Sequence, residues 1–143
     1  MITILIENDD VAIPNINANL IRKICKKILS DNNQNEAVLT IIFSNDSQLF
    51  KLKKEYFGED FFTDTISFNL EEDGDPIEGE VYISIERVHN NAQIYKQEFI
   101  TECKRVIIHG CLHLLGYNDQ TAEEKITMTM LEEKYLSQII AEN

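Results

Sequence analysis

Cysteine is scarce in this chain and does not come in pairs. Cys25, Cys103 and Cys111 are the three in 143 residues. An odd number with no pairing pattern excludes a disulfide framework and fits reduced thiols in a cytoplasmic protein. Long apolar runs are missing too, and none approaches the ~20 residues needed to span a bilayer. The stretch Met1-Ile2-Thr3-Ile4-Leu5-Ile6-Glu7 has neither a basic leader nor a small-residue cleavage site, so it does not read as a secretory signal. No repeat, linker or low-complexity segment interrupts the chain. Positive charge is also in short supply: 13 Lys and Arg stand against 25 Asp and Glu, a net charge of −12. Polyanion binding rests on cations that neutralise phosphates. A uniformly basic nucleic-acid surface is therefore excluded, and any such site must be a local basic patch on an acidic body.

What remains is an ordinary globular composition, 43% hydrophobic and 27% charged, in a chain of one-domain length spanning residues 1–143. Ile2, Ile4 and Ile6 alternate as in a strand. Asn15 or Asn17 caps a helix carrying Ile16, Leu20, Ile21, Ile24 and Ile28 at helical spacing. Residues 38–43 are β-branched and apolar, a buried strand. Asn45 or Asp46 caps a helix through Leu49, Leu52 and Tyr56, which Gly58-Glu59-Asp60 ends. Residues 64–85 read as a hairpin turned by 71–76. Helices follow at about 86–95, 97–115 and 121–140, the last opened by a Thr121/Glu124 capping box. The order β-α-β-α-β-β-α-α-α predicts an α+β fold, a mixed four-stranded sheet packed with about five helices.

Two of the three histidines, His109 and His113, lie four residues apart. On a helix they share one face, so both imidazoles can close on one ion. Gly116 suits a left-handed helix end, after which the chain can swing Asp119 back toward the pair. Two His and a carboxylate around an open position is the pattern of a catalytic zinc. The alternative, two ordinary helix residues, conflicts with their apolar setting in Val106–Leu115, which reads as a buried helix. Partnerless histidines buried there would be costly. Zinc suits the ligands, and nickel or manganese stays open. Where His-Glu-x-x-His peptidases carry their general base, this chain has Gly110. Cys111 is about 200° round the helix from each His and reads as a small core residue.

The run His109-Gly110-Cys111-Leu112-His113-Leu114-Leu115-Gly116-Tyr117-Asn118-Asp119 resembles the signature of the YbeY endoribonucleases, also called rRNA maturation factors. Thr63-Asp64-Thr65-Ile66-Ser67-Phe68 and Gly79-Glu80-Val81-Tyr82-Ile83 are similar to two further blocks of that family, in the same order. The resemblance implies a metal-dependent, single-strand-specific endoribonuclease that processes small-subunit rRNA precursors. It implies the ribosomal small subunit as context, with no membrane or DNA partner. It places the metal on His109, His113 and Asp119. Two positions depart from the pattern. Asp119 stands where the family has its third His, which lowers the charge the ion presents to water. Phe57 stands where an Arg thought to act on the phosphate usually follows the aromatic residue, and Glu59 replaces a nearby basic residue.

Two basic clusters are candidates for RNA contact. Arg22, Lys23, Lys26 and Lys27 read as a solvated helix face. Lys51, Lys53 and Lys54 lead into the Phe57 stretch and are the expected substrate-binding set. Arg105, one turn before His109, either supplies phosphate charge as a catalytic residue or makes a salt bridge with Glu102. A rival reading is a ribosome-assembly factor with a mainly structural metal. Another is a hydrolase of a small molecule or peptide, with Glu80 or Asp64 as base. Asp64 and Ser67 are expected to bond backbone or line a strand end, His89 to be exposed, and Tyr117 to pack on the turn after the metal helix.

Overall fold

The computed structural model describes residues 1–141. Its elements run β1 (Ile2–Asn8), α1 (Ala18–Asp31), β2 (Ala37–Ser44), α2 (Asp46–Phe57), β3 (Thr65–Asn69), β4 (Ile77–Ser84), α3 (Ile85–Ile94), α4 (Phe99–Leu114) and α5 (Ala122–Ala141). This is the α+β order read from the sequence. The strands form one mixed sheet in the order β1-β2-β4-β3. β1, β2 and β4 are parallel, and β3 returns antiparallel at the edge beside β4.

Side-chain chemistry explains the ends of these elements. Asn17 and Asn45 cap α1 and α2 by accepting from the amides of Leu20 and Gln48, which satisfies otherwise orphaned donors. Gly58 closes α2 with φ +65, a left-handed geometry that glycine takes without steric cost. The α5 capping box is present. Thr121 N–H donates to Glu124 Oε1 at 2.9 Å, and Glu124 N–H donates to Thr121 Oγ1 at 3.1 Å.

Helix α4 is the centre of the packing. Val106, Ile107, Ile108, Cys111, Leu112 and Leu114 are all buried on it, and it touches α1, α3, α5, β3 and β4. It reaches the sheet through Gly110. A Cβ there would lie 2.4 Å from Val81 Cγ1 and 3.3 Å from the hydroxyls of Thr65 and Ser67. Only glycine permits that approach, so the peptidase base excluded by sequence is also excluded by space. In the sheet, Ser67, Val81, Ile41 and Ile6 form one register row on the face that meets α4. Their neighbours Phe68 and Glu80 project to the other face, where α2 lies against β3 and β4. Cys25 and Cys111 meet in the core with Sγ atoms 3.6 Å apart, as free thiols. Among the described residues, no helix is long and apolar enough to cross a membrane.

Candidate metal centre

The centre is built where α4 ends. Gly116 N–H donates to the His113 carbonyl at 3.0 Å, and Tyr117 N–H donates to the Leu112 carbonyl at 3.1 Å. With Gly116 at φ +96, this is the paired-bond helix stop that reverses the chain. The Tyr117 hydroxyl then donates to Asn32 Oδ1 at 3.0 Å, pinning the turn to the end of α1. Asp119 comes back over the helix as a result. Its Oδ2 lies 3.3 Å from His109 Nε2 and 3.5 Å from His113 Nε2, and the two Nε2 atoms are 2.9 Å apart. These residues can hold a metal ion, with one ligand atom each inside a 4.8 Å span.

The donor set fits that use. Two ligands at about 2.0–2.1 Å from a tetrahedral ion stand about 3.3–3.4 Å apart, and the three observed edges bracket this separation. Ligation also requires the Nε2 lone pairs to be free. Glu132 arranges this for His109: its Oε2 lies 2.5 Å from His109 Nδ1, so the proton belongs on Nδ1 and Nε2 presents its lone pair. A backbone hydrogen bond to Tyr117 favours a proton on His113. Burial pulls the His109 pKa down, but the hydrogen bond and charge of Glu132, with Asp64 and Asp119, outweigh it and leave the pKa raised. His113 is shifted the other way, by burial and by the neighbouring His109 charge. The two imidazoles thus resist holding protons together, and a shared cation resolves that competition.

Glu132 was not among the residues singled out from sequence. The available signal was its position on α5. Met128, Tyr135, Leu136 and Ile139 are buried on the same helix, and Glu132 sits on their stripe at only 8% exposure. A carboxylate on a buried stripe needs a partner. Arg105 supplies a second one, with Nη1 3.5 Å from Glu132 Oε1. The same guanidinium lies 3.7 Å from Glu102 and 2.8 Å from Glu133. The salt bridge with Glu102, one of the two roles expected for Arg105, is formed. The Arg105 charge is turned to an acidic wall on α4 and α5.

The ligands open into a cleft of about 390 Å³ along the free edge of β3. Lys53, Phe57, Asp64 and Thr65 line it beside the histidines and Asp119. Of the three expected RNA-contacting lysines, Lys53 is therefore at the cleft. Lys54 turns toward Asp60 at 3.9 Å, and Lys51 is exposed on the same helix. Asp64 accepts from the Asn91 amide at 3.0 Å, and burial raises its pKa. Ser67 donates to the Gly110 carbonyl at 2.9 Å, the backbone role expected for it. The buried Thr65 hydroxyl has no hydrogen-bond partner among the described residues. Glu80 projects from the opposite sheet face and is not brought to the ligands. His89 is exposed, stacked on Phe99 at 4.0 Å. A larger, open cavity of about 770 Å³ lies where β1, β2 and β4 begin. Its wall carries Glu36, Glu71, Glu72, Asp75 and Glu78, a field that repels phosphate.

Residues 3–140 match the family model described as endoribonuclease YbeY. A protein of that name from Amoebophilus asiaticus is 48% identical over 98 residues, covering 68% of this chain and 67% of the relative. Another from Chloroherpeton thalassium is 40% identical over 117 residues, 82% of either chain. The solution structure of a Thermotoga maritima protein shares the fold, with a TM-score of 0.63 and 24% identity over 98% of this chain and 91% of that one. With the His-x-x-x-His pair and Asp119 assembled over a cleft, and the match running almost end to end, the chain belongs to the endoribonuclease YbeY family.

Proposed function

We propose that this chain is a metal-dependent endoribonuclease that cuts single-stranded segments of small-subunit rRNA precursors in the cytoplasm, with the ribosomal small subunit as its context. The observation that carries the reading is the convergence of His109, His113 and Asp119 on one point of an open cleft. These residues would hold Zn2+, their donor set being that of an open zinc site; other divalent ions suit the same ligands. When bound, such an ion supplies Lewis-acid polarisation of a phosphoryl oxygen and lowers the pKa of a water molecule.

The protein's own groups do the rest. Glu132 fixes the His109 tautomer, and Arg105 neutralises the acidic wall that holds Glu132, so Arg105 is a positioning residue. Asp64, half-buried and lining the cleft with the ligands, is the carboxylate we assign to take a proton from the attacking water. Lys53 offers its ammonium to a phosphate at the cleft mouth. The relatives' names describe catalysis, which favours this reading over an assembly factor with a structural metal.

The test is cleavage of a single-stranded small-subunit rRNA precursor fragment by the wild type, by His113→Ala and by chelated protein, with a duplex as control. Cleavage of the single strand alone, lost in the other two samples, is expected. Wild-type turnover no higher than that of His113→Ala would overturn the proposal.

A further inference from the structure

The rim of the cleft is aromatic as well as basic. Phe57 lines the cleft, and its neighbours Tyr56 and Phe61 are 62% and 50% exposed, whereas Phe62 turns away to Phe50 and Arg87. Exposed large rings beside a cleft call for an explanation, because apolar patches of this kind mark binding surfaces. The rings are also ordered. Phe57 lies parallel to Phe68 at 5.8 Å with a 26° interplanar angle, and Tyr56 meets the edge of Phe68 at 5.3 Å. Phe68 in turn rests edge-on against Tyr82 on the sheet. The base of the platform is therefore rigid β-structure. α2, which carries Tyr56 and Phe57, is pinned at its other end, where Asp46 accepts from Ser84 Oγ at 2.6 Å and from Arg87 at 2.9 Å. Gly58, at φ +65, turns the chain so that Phe61 returns beside Phe57.

Lys53 stands between these two rings, its Nζ 4.7 Å from the Phe57 centroid and 5.3 Å from that of Phe61. Both Lys53 and Phe57 also line the cleft that holds His109, His113 and Asp119. A half-buried ammonium over a ring is not a stronger contact than a stacked base, and the lysine stem is long enough to swing its charge to a phosphate instead. The body of the protein carries a net charge of −12, so long-range attraction cannot supply the affinity for a polyanion. Stacking is independent of that charge.

From this arrangement we infer that Phe57 and Phe61 form a stacking clamp for an unpaired nucleobase next to the scissile phosphate, with Lys53 released to the phosphate as the base enters. The inference rests on the ribonuclease reading and adds how the strand is gripped. It explains a preference for single strands, because bases in a duplex cannot splay onto the rings. It also predicts a shallow salt dependence. With three lysines on this helix, the slope of log affinity against log salt is no steeper than about −2.

The absence of tryptophan from the chain makes the test direct. Phe57→Trp installs a single reporter on the clamp. The probes are a 2′-O-methyl oligouridylate, which presents bases but resists cleavage, and a ribose-phosphate chain of the same length lacking bases. Saturable quenching of the reporter by the first probe and not the second is expected. In anisotropy titrations, Phe57→Ala and Phe57→Leu should both bind the oligouridylate about 5- to 150-fold more weakly than wild type, the range for losing one base–aromatic stack. Leucine keeps the bulk, so an equal loss identifies the π-face as the cause, with unchanged melting temperatures showing that the variants fold. Wild-type affinity in both variants, with rRNA cleavage intact, would overturn the clamp alone and leave the aromatic rim to a protein partner. A wild type that neither binds the oligouridylate nor cleaves rRNA would overturn the clamp and the ribonuclease reading together.

Discussion

Replacing Glu132 isolates the contribution of a residue that touches no substrate. Its Oε2 accepts from His109 Nδ1 at 2.5 Å, and its Oε1 faces Arg105 at 3.5 Å. Glu132→Gln keeps an oxygen that can accept from Nδ1 but removes the charge. A hydrogen bond to a charged group contributes about 1.5–3 kcal/mol against about 1 for a neutral one, so the exchange costs about 1 kcal/mol of ligand organisation. Zn2+ affinity should then fall about 5- to 10-fold. Glu132→Ala leaves the Nδ1 proton without its partner and frees the ring to turn. Loss of such an outer partner typically costs about 10- to 100-fold in metal affinity. Competition against a chromophoric chelator measures these constants. Melting provides a second readout, since a tenfold weaker site at fixed excess metal gives up about 1.4 kcal/mol of linked stability, or roughly 3–6 °C in a chain of this size. The metal-free melting point of each variant serves as its reference. The expected order of affinity is wild type, then Gln, then Ala. An alanine variant that folds and binds Zn2+ within twofold of wild type would refute the claim that Glu132 presets the centre.

Three further outcomes follow from the same geometry. Gly110→Ala gains about 1 kcal/mol in helix propensity. It also drives a methyl to 2.4 Å from the fully buried Val81, an overpacking that costs about 1–3 kcal/mol or more. The net effect should be a lower melting point, partly restored by Val81→Ala. Asp64 has a raised folded-state pKa, so only between its unfolded and folded pKa values does the folded protein hold a proton that the unfolded chain has released. Stability conferred by that difference is lost as pH rises through the window above the ordinary carboxylate pKa. In metal-free protein, Asp64→Asn should therefore melt higher than wild type at pH 8, with the gap closing toward pH 4; a lower melting point at pH 8 would contradict this. Asp119→His removes a negative charge from the ligand set, so the bound ion should acidify water more strongly. The alkaline-rising limb of the cleavage–pH profile should then move to lower pH.

Most of the fold was legible because local chemistry and global packing agree. Asn17, Asn45, Gly58 and the Thr121/Glu124 box mark helix ends by interactions within a turn, and the Val106–Leu115 stretch is mostly apolar because α4 is the hub. The Asp119 return was legible through Gly116, whose backbone freedom is visible as a residue type. The insertion of β4 between β2 and β3 was not, since strand order depends on contacts between distant segments. Glu132 escaped for the same reason. It lies 23 residues from His109, and only the packing of α5 on α4 brings them together. Arg105 sits one turn before His109, and helix periodicity alone could not tell an open cleft from a wall of Glu102, Glu132 and Glu133. Phe57 looked like a lost charge in sequence; in three dimensions it is part of an ordered aromatic rim.

The most direct test of the metal-dependent ribonuclease is reconstitution. Protein stripped by chelator would be assayed on the single-stranded rRNA fragment while Zn2+ is titrated back, with His113→Ala in parallel. Cleavage should be absent at the start, rise linearly, and level off near one ion per wild-type chain, with no recovery in the variant. Full cleavage by the stripped protein, or equal recovery in His113→Ala, would contradict the centre formed by His109, His113 and Asp119.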